Sequence, residues 1–153
     1  MQIAILGATG GIGGHVLDWA LRAGHPVHAL ARDPQALPPA AGLTVTRGDA
    51  LDETAVAEVI DGADAVVSAL GPRGAKAPGL LAGAASHTIL AMQKTGASRL
   101  VCVSAAGAYV TGDPNMNCLA RTRGKIARAD VAHFIAAVLT EDGWPRAAPA
   151  LAY

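Results

Sequence analysis

The stretch GATGGIGG, Gly7 to Gly14, follows the apolar run QIAIL, Gln2 to Leu6, and leads into a segment with helical spacing. Gly7, Gly10 and Gly13 recur every third residue, the first directly after a strand and the last inside the first turn of a helix. A pyrophosphate resting on a helix amino terminus needs free N–H groups and close backbone approach, which a Cβ would block. The loop therefore reads as a dinucleotide cradle, with Thr9, Gly11 and Ile12 completing it.

Other candidate residues follow the later apolar runs. After the second run an acidic residue would hold the ribose 2′-hydroxyl of NAD, but Ala31 and Arg32 come first, and a guanidinium suits a 2′-phosphate. NADP is the expected cofactor. Asp49 and Ala50, after the third run, are placed to meet the adenine edge, although Gly48-Asp49 is equally an ordinary turn. Ala69, Leu70 and Gly71, after the fourth, should line the nicotinamide side of the cleft, and Val103 and Ser104 at the end of the fifth are further cofactor-binding candidates.

The elements that must position these residues alternate. Strands are expected at Gln2–Leu6, Pro26–Arg32, Leu43–Asp49, Ala63–Leu70 and Arg99–Ala105. Helices are expected after the glycine loop, from the N-cap Asp52 to Gly62, from Gly79 to near Gly96, and over Arg128–Asp142, where Val131, Phe134, Ile135 and Val138 share a face. Strands apolar on both faces and separated by helices imply a parallel sheet covered on both sides. The right-handed crossover rule makes this a Rossmann-like, doubly wound α/β fold of about five strands in order 3-2-1-4-5, with ligands beyond the carboxyl ends of the strands.

Composition agrees. A chain of 153 residues, 52% hydrophobic and 16% charged, suits one domain, residues 1–153, with a packed core. Twelve basic and twelve acidic residues cancel, so nothing points to nucleic acid or to an anionic membrane surface, and a small molecule is the expected partner. Cys102 and Cys118 stand in no metal-ligand spacing, so no metal site is expected, and Cys102, flanked by Val101 and Val103, reads as core. No signal peptide or membrane span is evident, and the cytoplasm is the expected compartment.

The motifs GATGGIGG, ALARDP, GDALDE, VVSALGP, RLVCVSAAGAY and RADVAHF together resemble the atypical short-chain dehydrogenases with NmrA-like NAD(P)-binding domains, near the biliverdin IXβ reductase and flavin reductase group. The resemblance implies NADPH as hydride donor and a planar acceptor such as a flavin, a linear tetrapyrrole or a quinone. It places Ser104 beside the nicotinamide. Tyr109 is a further candidate as proton donor, but no lysine stands four residues on, where Asp113 is found, and a phenol near 10 is a poor acid at neutral pH. His15, His87 and His133 read as surface or packing residues, and Arg73 and Lys76 as a solvated loop. The other reading, from a different class, is a non-catalytic NADP(H)-binding redox sensor acting through a protein partner.

The chain departs from the resemblance in three ways. Many relatives carry a basic residue at position 11, whereas Gly11 stands here, which leaves the phosphate clamp to Arg32. Relatives also insert a helix and a sixth strand before the last helix, a unit of roughly 30 residues or more. Only AGAYVTGDPNMNCLARTRGKIA intervenes here, so the acceptor-side segment is missing: either the chain is longer, with residues omitted between Val110 and Ile126, which is the expected reason, or it is truly shortened. Strand five would then present a bare apolar edge, for which a homodimer partner is one expected cover.

Overall fold

In β1 (Ile3–Leu6) all four residues are apolar and buried, which requires cover on both faces of the strand. Its side chains alternate between two cores: Ile3 and Ile5 pack with Val16, Leu17 and Ile135, while Ala4 and Leu6 pack with Val56, Val59 and Ile60. The computed structural model describes residues 1–71, 79–103 and 126–141.

Four further strands, β2 (Val27–Ala31), β3 (Leu43–Arg47), β4 (Ala65–Ser68) and β5 (Arg99–Cys102), join β1 in one parallel sheet of order β3-β2-β1-β4-β5. Ile3 is in register with both Val27 and Ala65, and Ser68 with Cys102. Helices α1 (Gly11–Arg22) and α4 (Arg128–Thr140) pack together over one face; α2 (Glu53–Ile60) and α3 (Leu80–Thr95) cover the other. This is the doubly wound arrangement expected. Because the strand order reverses at β1, the loops after β1 and β4 open side by side at the carboxyl edge of the sheet.

Local chemistry sets the boundaries. The Asp52 carboxylate accepts from Thr54 N at 3.0 Å and Ala55 N at 3.3 Å, starting α2, and Gly96, at φ +81°, ends α3 in the left-handed conformation glycine favours. Arg99, at the start of β5, donates from Nη1 to the Leu139 carbonyl at 2.6 Å, placing a cation on the negative end of α4.

Two expectations are corrected. Cys102 is exposed rather than core, and Leu100, on the same face, is 39% exposed, because β5 is the outer strand among the described residues and α3 covers that face only in part. The buried face of α4 is Ala132, Ile135, Ala136 and Leu139, while Val131, Phe134 and Val138 are not among its buried residues. Ile135 and Leu139 fill the core beside small Ala132 and Ala136, and Val131 is partly buried against the same core.

Candidate cofactor site

The glycine loop is tight before any ligand is considered. Gly7 has φ +92°, and a Cβ there would lie 2.7 Å from the Ala69 carbonyl oxygen. A Cβ on Gly13 would land on the Gly7 carbonyl oxygen and 2.8 Å from its carbon. Both glycines are thus required by the packing of the loop against β4 and against itself. Gly10 N donates to Gly7 O at 2.9 Å, and Gly14 N to Gly10 O at 2.8 Å, which closes the turn into α1.

What remains open is the amino terminus of α1. Its N-cap is Gly10, which offers no side-chain oxygen, and its first turn holds no acidic residue. The first amides of a helix have no intrahelical acceptor, so these point outward with the positive end of the helix dipole. The bare cradle fits the pyrophosphate of a dinucleotide, which Gly10, Gly11 and Ile12 would hold through backbone N–H groups. Thr9 is exposed beside it, and Ile12 is half-buried and packs on the core.

The other sequence candidates fall around the same edge. Arg32 is exposed immediately after β2. The neighbouring Asp33 is engaged locally: its Oδ1 accepts from Gln35 N at 3.1 Å, capping the short turn Pro34–Ala36. Asp49 also makes its own turn, Oδ1 accepting from Leu51 N at 2.9 Å, and Ala50 is buried with its carbonyl 3.3 Å from His87 Nδ1. Ala69 N extends the sheet by donating to Leu6 O at 2.9 Å, as Val103 N does to Ser68 O at 2.8 Å. Leu70 is half-buried and Gly71 exposed. Beside Leu70 a groove of about 90 Å³ runs between β4, β5 and α3, lined by Ser68, Leu81, Thr88, Leu100 and Cys102. His15 and His133 are exposed on their helices. Ser104, Tyr109, Arg73, Lys76, Cys118 and the expected gap between Val110 and Ile126 lie outside the described residues.

One residue at this edge escaped the sequence reading. Arg128, the first residue of α4, lays its side chain over Gly11, the first residue of α1: a Cβ on Gly11 would lie 2.5 Å from Arg128 Cδ and 3.0 Å from its Nε and Nη1. The available signal was an arginine opening a helix, where acidic residues are the favoured choice.

The model of the NAD(P)H-binding family matches residues 7–120, from the first glycine of the loop onward. This chain belongs to that family. An isoflavone reductase homologue from Zea mays is 38% identical over 80 residues, covering 46% of this chain and 26% of that protein. The chain thus matches about a quarter of the length of its curated relatives. Among solved structures, a Burkholderia pseudomallei protein described as exported is 32% identical with a TM-score of 0.60, covering 91% of this chain and 65% of that one. The anaerobillin reductase ChuY of Escherichia coli O157:H7 is 22% identical with a TM-score of 0.75, covering 98% of this chain and 100% of that one, a likeness of fold. Among the described residues of this NAD(P)H-binding protein, no helix is long and apolar enough to cross a membrane.

Proposed function

We propose that this protein is an NADP(H)-dependent oxidoreductase that reduces a planar acceptor such as a flavin, biliverdin or a quinone. The observation that carries the reading is the pairing of an uncapped α1 terminus with Arg32 one residue beyond β2. An acid there would select NAD, and the nearby Asp33 is held in its own turn, so the group left to meet a ribose substituent is a guanidinium. Membership of the NAD(P)H-binding family and the reductase names among the curated relatives support the same class.

When bound, the dinucleotide supplies a hydride equivalent. The chain's own residues bind and orient: Gly7, Gly10, Gly11 and Gly13 shape the phosphate cradle, Arg32 meets the 2′-phosphate, and Asp49 and Ala50 border the adenine. Ala69, Leu70, Gly71 and Val103 border the nicotinamide, and the apolar groove beside Leu70 suits the edge of a flat ring. Ser104, the next residue in the sequence after Val103, has the orienting role that the family resemblance implies.

Two measurements test this. Arg32→Ala should weaken NADPH by about ten- to a hundredfold, since a hydrogen bond to a charged group contributes roughly 1.5–3 kcal/mol, and leave NADH unchanged. Equal losses by calorimetry would show that Arg32 does not read the phosphate. NADPH consumption with FMN, biliverdin and quinones then tests turnover. Tight cofactor binding with no turnover on any of them would replace the enzyme by a cofactor-binding sensor.

A further inference from the structure

We propose that Arg128 is a phosphate clamp delivered by α4: its guanidinium pairs with the pyrophosphate of NAD(P)H from above the glycine loop, occupying the space that a side chain at position 11 would otherwise fill. The inference rests on dinucleotide binding at the α1 terminus, and it adds a residue from the far end of the fold.

Three observations lead there. First, Gly11 and Arg128 are the opening residues of α1 and α4, and the two helices pack together, so their positive ends share one corner of the carboxyl edge. Second, the bare Cα of Gly11 makes room for the arginine stem: the Cδ, Nε and Nη1 positions already quoted cannot coexist with any unshifted side chain at position 11. Third, the corner is poor in compensating charge. Across both first turns the acidic residue is Asp130, and Arg128 makes no ion pair among the described residues. An exposed guanidinium above two helix amino termini is an arrangement that an anion relieves.

The occupant is the pyrophosphate rather than the 2′-phosphate. Helix amino termini take the pyrophosphate in this fold class, whereas the 2′-substituent is met from the end of β2, where Arg32 stands. The two arginines therefore have separable tasks. Arg128 should strengthen both dinucleotides, Arg32 only the phosphorylated one.

The test is calorimetric titration of the full chain and of Arg128→Ala and Arg128→Gln with NADPH and with NADH, alongside thermal unfolding without cofactor. Arg128→Gln keeps part of the stem over Gly11 while removing the charge, so it remains informative if the alanine variant folds poorly. Both variants should bind both dinucleotides about ten- to a hundredfold more weakly, by the same factor for each, with an unchanged melting temperature. Failure of the wild-type chain to bind either dinucleotide would overturn the cofactor reading itself. Wild-type binding with unaltered variants would overturn only the clamp, leaving Arg128 as a packing residue. A loss confined to NADPH would also overturn it, by moving Arg128 to the 2′-phosphate.

Discussion

Helices α1 and α2 begin at the same edge of the sheet and are finished in opposite ways. At α2 the protein satisfies itself: Asp52 accepts from two first-turn amides, and Glu53 adds a carboxylate that bonds Lys94 Nζ at 2.8 Å. Lys94 holds the Glu53 carboxyl below its usual range. At α1 the N-cap is a glycine without a side-chain bond, no carboxylate lies in the first turn, and a guanidinium is added from α4. A fold gains little by leaving a helix end uncapped, since a good N-cap contributes about 1 kcal/mol. Helix α3 also opens on an uncapped glycine, Gly79, so what sets α1 apart is the close-packed glycine loop that presents it and the Arg128 side chain laid over its first residue.

The largest effect should come from disturbing the loop that presents α1. Gly13→Ala places a methyl on the Gly7 carbonyl, with backbone on both sides and no flexible side chain to move aside. Overpacking of this kind costs about 1–3 kcal/mol, here towards the upper end, or roughly 6–12 °C in melting temperature. Dinucleotide binding should fall with it. Gly14→Ala is the control: its Cβ would sit 3.5 Å from the Ala8 carbonyl, an ordinary contact, so the higher helix propensity of alanine should leave stability equal or raised by up to about 1 kcal/mol. If both substitutions unfold the protein equally, the close packing described for Gly13 is wrong.

Exchanging the two helix ends sharpens the comparison. Asp52→Ala should cost about 1 kcal/mol of stability by orphaning two amides, with dinucleotide affinity unaltered. Gly10→Asp should do the reverse. Gly10 has φ −87° and ψ 166°, an N-cap conformation that aspartate adopts, although its Cβ would approach Gly7 O to 3.2 Å. A carboxylate there would compete with phosphate for the same amides and repel it, a loss on the order of a hundredfold or more in affinity. Calorimetry and thermal unfolding on both variants would read the crossover; tight NADPH binding that survives Gly10→Asp would remove α1 from the site.

What the sequence showed of this arrangement depended on how local the cause was. Asp52 and Gly96 act on neighbours within a turn, so the limits of α2 and α3 were readable, and the alternation of apolar runs with helices led to the strand order. Gly7, Gly10 and Gly13 carried the candidate site for the same reason. Burial is less local. Cys102 looked like core because its neighbours are valines, yet its exposure depends on whether anything lies beyond β5. The face of α4 was misjudged because large residues were weighed over the alanines that it buries. Arg128 was invisible as a candidate because its meeting with Gly11 exists only once α4 has folded back against α1.

The smallest effect concerns the edge away from the site, where the α2 side of the comparison carries a partly buried titratable group. His28 of β2 is half-buried, and its Nε2 lies 2.8 Å from Thr46 Oγ1, which in turn donates to Glu58 Oε1 at 3.0 Å. Since the threonine proton goes to Glu58, the hydroxyl accepts from His28 Nε2–H. Burial lowers the histidine below its ordinary value of about 6.5, and the Glu58 carboxylate opposes that only in part. The sign follows from proton counting. Between the folded and unfolded values the unfolded chain binds more protons, so this group's contribution is fully present above about pH 6.5 and is lost as the pH falls towards the lower folded value. His28→Gln removes the titration while leaving the other histidines in place, and should flatten the fall in melting temperature between about pH 7 and pH 5 slightly. Glu58→Gln should steepen it, because the opposing carboxylate is gone. A wild-type slope unchanged by either substitution would show that burial at β2 does not hold the ring neutral.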